Sequence, residues 1–181
     1  MATRLPLDDG FYLSGVEVSD EDAFVTHLGD GEIGNWIPVL PRPYGREEAR
    51  SWVRHRVAHR ATTGVETTFA IRSPDGFLVG SVGVDDYPVG VQDWAELGYW
   101  LAPAERGRGL ATSAVGSLVP HAFEHLHLAR ITASTLSNNR PSIRVLEKSG
   151  FRLLGEKPRQ TRTGTGMRDT LFFELRREGL R

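Results

Sequence analysis

The sequence predicts a mixed α+β fold in which a mixed sheet of about six or seven strands is flanked by about four helices. Short runs that alternate apolar and polar residues predict the strands, and longer segments bounded by capping residues and glycine predict the helices. The chain has 181 residues, of which 39% are hydrophobic and 25% are charged. This length and composition favour one soluble globular domain over residues 1–181.

The first half of the chain predicts two helices between a strand and a hairpin. Its segments, in order, are a strand at Phe11–Glu17, a helix ending at about Gly29, a loop at 30–45, a helix at about Glu47–Ala61, and strands at Thr67–Arg72 and Phe77–Asp85. Ser19 or Asp20 is expected to cap the first helix. The Ser-Pro-Asp-Gly sequence at 73–76 lies between two apolar runs, which predicts a β-hairpin.

The second half predicts a strand–helix–strand unit followed by a helix and two strands. Its segments are a strand at Trp94–Leu101, a helix at about Gly109–His125, a strand at Arg130–Leu136, a helix at Asn139–Ser149, and strands at Phe151–Lys157 and Asp169–Arg176 around a loop at 158–167. The first three form a βαβ unit with parallel strands. Pro120 is expected to kink or end its helix, and Gly150 suits the end of the next one.

Charge and composition exclude several classes of protein. Residues 1–100 carry 8 Arg against 16 acidic residues, whereas residues 101–181 carry 12 Arg and 2 Lys against 7 acidic residues. This asymmetry favours an anionic ligand for the basic half. No apolar run approaches the roughly 20 residues that span a bilayer, and no export signal is evident, which favours a cytoplasmic location. The lack of cysteine excludes a thiolate nucleophile.

A glycine-rich turn at 106–111, with the sequence Arg-Gly-Arg-Gly-Leu-Ala, is placed between a strand and the start of a helix. The first amides of a helix have no partner within it and carry partial positive charge, so such a turn can hold a diphosphate. A purely structural tight turn is the alternative. Neither the P-loop pattern nor the dinucleotide-binding pattern fits these residues.

The same turn carries a resemblance to a known family. Arg106-x-x-Gly109-x-Ala111 resembles the Arg/Gln-x-x-Gly-x-Gly/Ala signature of the GNAT N-acetyltransferases, and segments 95–101, 130–134 and 139–151 resemble their ribosomal-protein N-terminal (Rim-type) branch. The resemblance implies a mostly antiparallel sheet, splayed at its centre, that binds acetyl-CoA without a metal. The cofactor-binding residues that it implies are Leu101, Arg106, Gly107, Arg108, Gly109, Leu110, Ala111, Asn139 and Ser142.

The resemblance also implies two catalytic residues. Glu96 on the splayed strand is the expected general base, acting through water, with a solvent-facing or arginine-paired carboxylate as the alternative. Many members carry a general-acid tyrosine where this chain has Leu146, so Ser142 is expected to donate to the departing thiolate instead. Capping of the helix start is the alternative role for both Asn139 and Ser142.

The predicted acceptor site includes Trp36, Asp85, Glu96 and Tyr99. Trp36 lies in a segment that lines the acceptor site in the resembled family, with core packing as the alternative. Asp85 is expected to attract a cation, with a merely solvated turn as the alternative. The expected reaction is acetyl transfer from acetyl-CoA to a primary amine, by direct attack in a ternary complex. The acceptor is either a protein N-terminal α-amino group or a small amine, and dimers are frequent in the family. A CoA-binding sensor with little turnover is the competing hypothesis, and a nucleic-acid binder lacks any recognised motif.

One pattern at 121–125 competes with this interpretation. The sequence His-Ala-Phe-Glu-His has the His-x-x-Glu-His spacing of a family of zinc enzymes, with two imidazoles one helical turn apart. No third ligand is evident in the sequence, and Pro120 interrupts the segment. No metal is therefore predicted.

Overall fold

The computed structural model describes residues 4–29, 31–84, 92–163 and 166–179. Within these residues a sheet of eight strands is flanked by four helices. The strands are β1 Arg4–Pro6, β2 Tyr12–Gly15, β3 Thr68–Arg72, β4 Leu78–Val84, β5 Trp94–Leu101, β6 Arg130–Leu136, β7 Arg152–Thr163 and β8 Gly166–Arg176. The helices are α1 Glu21–Leu28, α2 Arg46–Thr63, α3 Leu110–His125 and α4 Arg140–Lys148.

The sheet has the order β1-β2-β3-β4-β5-β6-β8-β7. Every neighbouring pair is antiparallel except β5 and β6, which are parallel and connected through α3. The predicted hairpin is present as β3 and β4, and the predicted βαβ unit as β5, α3 and β6. The predicted mixed fold class is confirmed.

The two parallel strands separate along their length. Pairing between β5 and β6 is confined to Trp94–Glu96 opposite Arg130–Thr132. Beyond that point β5 pairs with β4 on its other side, and β6 pairs with β8. A gap therefore opens between β5 and β6 toward their C-terminal ends, at the centre of the sheet.

Apolar residues cover the sheet on both faces. On one face the side chains of α3 and α4, including Leu118 and Leu146, pack against Leu97 and Phe173 of the sheet. On the other face α1 and α2 form a smaller core, which includes Phe24 and Val53. The alternation along β5 thus directs its odd-numbered residues toward α3 and its even-numbered residues toward α1 and α2.

Three details differ from the sequence-based expectations. The strand β1 was not predicted, because three residues are too few to show a period. The predicted loop at 158–167 is wrong, since β7 continues to Thr163 and β8 begins at Gly166. Pro158 is tolerated because it lies on the edge strand β7, in the irregularity between Lys157 and Thr161 where β7 is not paired with β8. The helix α3 does not end at Pro120 but continues to His125.

The expected capping role of Asp20 is also wrong. No side-chain hydrogen bond caps α1 at this residue. The buried carboxylate instead accepts two hydrogen bonds from the guanidinium of Arg72, each 2.9 Å long. It also accepts the backbone N–H of Glu17 at 2.8 Å. Burying an arginine without a counter-charge costs more free energy than leaving a helix start without a side-chain cap.

Candidate functional site

The turn at 106–111 has the backbone shape of an anion-binding loop. Gly107 and Gly109 have φ values of +81° and +86°, a region that favours glycine. Gly109 is the N-cap of α3 and supplies no side chain, so the first amides of this helix are left to other acceptors. A Cβ added at either glycine would meet no heavy atom within 4 Å. No described residue therefore crowds either glycine of the turn on its Cβ side.

Both arginines of this turn have protein partners. Arg106 donates from Nε to the carbonyl oxygen of Leu101 at 3.2 Å and pairs with Glu32 at 2.8 Å. Arg108 pairs with Glu105 at 3.1 Å. The guanidinium of Arg106 thus ties the turn to the end of β5.

The edge of β5 presents backbone groups to the gap. The amide of Ala102 donates to Val79 of the neighbouring strand at 2.8 Å, so by alternation Trp100 and Gly98 also direct their amides toward β4. The N–H groups of Tyr99 and Leu101 must then point the other way. These two amides face the gap, beyond the last pairing with β6.

A pair of hydroxyl groups lies beside the gap, and the sequence analysis did not find it. Tyr99 Oη is 2.8 Å from Ser142 Oγ and also donates to the Ser142 carbonyl at 3.1 Å. Burial raises the pKa of Tyr99 to about 12, so its hydroxyl stays protonated at neutral pH. Asn139 caps α4 by accepting the Ser142 amide at 3.3 Å, as in the structural alternative for this residue.

Glu96 lies at the point where the two strands part. Its carboxylate accepts a hydrogen bond from Ser134 Oγ of β6 at 2.5 Å. By alternation Glu96, Gly98 and Trp100 share the face that looks toward α1 and α2. The predicted alternative of an arginine partner is not found among the residues that the structure describes. The carboxylate is half-buried and lies on the same face of β5 as the cleft described next.

A cleft of about 890 Å³ occupies this face, between the sheet and the α1–α2 region. We call it the aromatic cleft, after five of its lining residues, which are Phe24, Trp36, Tyr44, Trp52 and Trp100. Tyr99 also lines it, although its hydroxyl bonds to Ser142 on the side of α4. Among the described residues that line it, the acidic, basic and imidazole side chains are all on α2, at Glu47, Glu48, His55 and Arg56. Trp36 and Tyr99, two of the predicted acceptor-site residues, both line this cleft. Asp85 lies outside the described residues.

The two histidines of the zinc-like pattern are side by side on α3, with ring centroids 4.5 Å apart. Nε2 of His121 is 3.1 Å from the Glu66 carbonyl oxygen. Within the described ranges, no group of three His, Asp or Glu side chains could hold a metal ion. The spacing is therefore explained by packing of α3 beside β3, where His121 contacts Phe69.

The burial of His121 predicts a pH dependence of stability. Desolvation lowers its pKa, and His125 adds to this effect, while the Glu66 carbonyl and Glu124 oppose it. The unfolded chain therefore binds a proton more readily, and the His121 contribution to stability is present above pH of about 6.5 and lost as the pH falls. Thermal unfolding of His121→Asn between pH 7.5 and 5.5 should show a shallower decline than the parent protein. An identical decline would contradict this origin.

Comparisons with known proteins identify the family of the chain. Residues 11–152 match the family described as acetyltransferase (GNAT) domain. The probable N-acetyltransferase YjcK of Bacillus subtilis (strain 168) is 42% identical over 77 residues, which are 42% of this chain and 42% of that protein. The protein named "Putative ribosomal N-acetyltransferase YdaF" in the same organism is 29% identical over 121 residues, which are 66% of this chain and 64% of YdaF. Both matches span less than two thirds of the relative.

A solved structure covers nearly the whole chain. RimJ of Mycobacterium smegmatis, in complex with CoA-disulfide, superposes with a TM-score of 0.82 at 28% sequence identity. The superposition covers 99% of this chain and 88% of that protein. In the part of the chain that the structure describes, the helices are all too short or too polar to cross a bilayer.

Proposed function

Because the chain belongs to the GNAT acetyltransferase family, we propose that it transfers the acetyl group of acetyl-CoA to a primary amine by direct attack, as one domain over residues 1–181. The observation that carries this proposal is the gap between β5 and β6. The turn at 106–111 lies at its open end, and the aromatic cleft lies on the face of β5 that carries Glu96. Two reactants can thus approach the same strand from different sides.

Binding of acetyl-CoA is assigned to the turn and the gap. Backbone amides of the turn, from Gly107 to Ala111, would hold the diphosphate, because the start of α3 carries partial positive charge. When bound, acetyl-CoA supplies the thioester that is attacked. The structure of RimJ with a CoA-derived ligand supports this assignment. The side-chain oxygen of Asn139 caps α4, so its side-chain amide nitrogen would be left to donate a hydrogen bond to the pantetheine arm.

The edge of β5 would stabilise the charge that develops during attack. As the amine nitrogen bonds to the carbonyl carbon, negative charge moves onto the carbonyl oxygen. Amides that are already fixed in direction stabilise such charge by typically two to three orders of magnitude in rate. The N–H groups of Leu101 and Tyr99 are held by the β4–β5 pairing and face the gap.

Proton removal and stabilisation of the thiolate are assigned to residues on the two sides of the gap, Glu96 and Ser142. An amine enters as an ammonium ion and must lose a proton before it attacks, and Glu96 is the carboxylate at the base of the gap. As the carbon–sulfur bond breaks, the electron pair remains on sulfur, and the second proton, which the newly bonded nitrogen loses, passes through water to that thiolate so that CoA leaves as the thiol. The Ser142 hydroxyl would donate a hydrogen bond to that thiolate, and Tyr99 would orient it by donating its one proton to Ser142 Oγ in place of the Ser142 carbonyl.

The acceptor is a protein N-terminal α-amino group or a small amine, and a homodimer is the assembly that we propose. Thiol release from acetyl-CoA, measured over a panel of peptides and small amines, tests the function. We expect release that depends on at least one amine. Tight binding of acetyl-CoA with no release for any amine would instead favour a CoA-binding sensor.

Replacing Gly109 tests the turn itself. Gly109→Ala forces a side chain onto a left-handed backbone, which costs about 1–2 kcal/mol and displaces the amides of the turn. We expect the dissociation constant of CoA to rise roughly tenfold, as measured by calorimetry. Gly116→Ala is the matched control, because that glycine lies inside α3 with open space around it and ordinary helical φ. Equal CoA affinity in the two variants would contradict the assignment.

A further inference from the structure

Two glycines face each other across β4 and β5, at the centre of the sheet. Gly83 of β4 pairs with Gly98 of β5. Glycine weakens a strand, because it has more backbone freedom to lose on folding and no side chain to pack. Each position therefore needs a reason for having no side chain.

Packing explains Gly83 and does not explain Gly98. A Cβ on Gly83 would lie 2.5 Å from Thr68 Oγ1 and 2.9 Å from the Thr67 carbonyl oxygen, so no side chain fits there. A Cβ on Gly98 would meet no heavy atom within 4 Å. The backbone at Gly98 is regular strand, and its neighbours Leu97 and Tyr99 are paired with β4 in the same register. Among the residues that the structure describes, no neighbour requires glycine at position 98.

The location of Gly98 indicates that a ligand in the cleft, and not packing within the protein, explains the missing side chain. This residue is exposed and lines the floor of the aromatic cleft. It lies between Glu96 and Trp100 on one face of β5, about 7 Å from each along the strand. A bare backbone between a carboxylate and an aromatic ring lets a ligand approach closely, which is a recognised use of glycine in strands.

The walls of the cleft indicate what kind of ligand fits. Trp52 packs on Phe24 with ring centroids 4.7 Å apart, and Phe24 packs on Trp100 at 5.8 Å. These rings hold one another in place, so little side-chain freedom is lost when a ligand packs on them. Trp36 is 42% exposed at the cleft and offers a further apolar surface. Wide aromatic walls favour an apolar or aromatic group on the ligand.

We propose that the bare backbone at Gly98 is the floor over which the acceptor amine reaches the gap, and that the acceptor carries an apolar or aromatic group that packs in the aromatic cleft. This inference rests on the proposed N-acetyltransferase function. The apolar group belongs either to a small amine or to the first residue of a peptide, and both present the same chemistry to the cleft.

Matched acceptor pairs test the acceptor chemistry and separate its two sources. Acetyl transfer is measured with 2-phenylethylamine against putrescine, and with a peptide that begins with Phe against the same peptide beginning with Ser. We expect kcat/KM to be about tenfold or more higher for the phenyl-bearing member of at least one pair. The pair that responds identifies a small amine or a peptide as the source.

Substitutions at Gly98 test the floor. Gly98→Ala and Gly98→Val add volume to open space, so the melting temperature should not fall. We expect kcat/KM for the preferred acceptor to fall progressively, by about tenfold or more for valine, mostly through a higher KM. The dissociation constant of CoA should stay within about twofold, because the turn at 106–111 is untouched. Gly116→Ala is the control that should change none of these values.

The outcomes separate this inference from the proposed function. Transfer that is equal or faster with the polar member of both pairs, or that Gly98→Val leaves unchanged, overturns the inference and leaves N-acetyltransferase activity intact. Absence of transfer to every amine tested, despite CoA binding, overturns the proposed function and the inference with it.

Discussion

Replacing Asp20 by alanine is expected to lower the free energy of unfolding by about 3–5 kcal/mol. Arg72 contacts both carboxylate oxygens of Asp20 at 2.9 Å, and the two side chains are only 10% and 6% exposed. The same guanidinium donates to Ser14 Oγ at 2.6 Å. Burial lowers the pKa of Arg72, but the hydrogen bonds and charge of Asp20, together with the charges of Glu17 and Tyr12, outweigh burial and raise it. Without Asp20, the buried guanidinium would lose the carboxylate that it contacts directly.

Urea denaturation of two variants provides the measurement. Asp22→Ala is the matched control, because Asp22 also pairs with an arginine, Arg46, at 2.7 Å. That pair is 73% and 64% exposed, and exposed pairs contribute at most about 1 kcal/mol. We therefore expect a large loss of stability for Asp20→Ala and a small one for Asp22→Ala. Similar losses in both variants would mean that the buried pair contributes no more than a surface pair.

This ion pair also shows where inference from sequence ends. The strands and helices with a clear period or a glycine boundary were predicted within a few residues, because those signals are local. The bond between Asp20 and Arg72 joins residues 52 positions apart. A local pattern made Asp20 a plausible helix cap, and only the tertiary position of Arg72 gives its carboxylate another partner.

The candidate site divides in the same way. The turn at 106–111 was found from sequence because its function depends on consecutive backbone amides. The bond between Tyr99 and Ser142 joins β5 to α4, 43 residues apart, and no spacing rule could predict it. Many family members carry a general-acid tyrosine where this chain has Leu146. Its absence was a usable signal, because another residue must then supply a hydroxyl group near the departing thiolate. Leu146 itself is buried in the core.

Replacing Glu96 by glutamine is expected to lower kcat by about 100-fold near neutral pH, because general-base catalysis contributes typically two to four orders of magnitude. Glutamine keeps the size of the side chain and can still accept the hydrogen bond from Ser134. It cannot take a proton from an ammonium ion. The fold and CoA affinity should therefore be unchanged, and the loss should lie in kcat.

The pH dependence distinguishes a base from a merely structural role. A primary amine increasingly loses its own proton as the pH approaches its pKa, so a general base matters less at high pH. The defect of Glu96→Gln should therefore shrink as the pH rises from 7 toward 10. Ser134→Ala, which removes the hydrogen bond that holds the carboxylate, should cause a smaller loss, and Glu147→Gln on exposed α4 should cause none. A defect that is constant with pH would remove the role of base from Glu96 and assign proton removal to water.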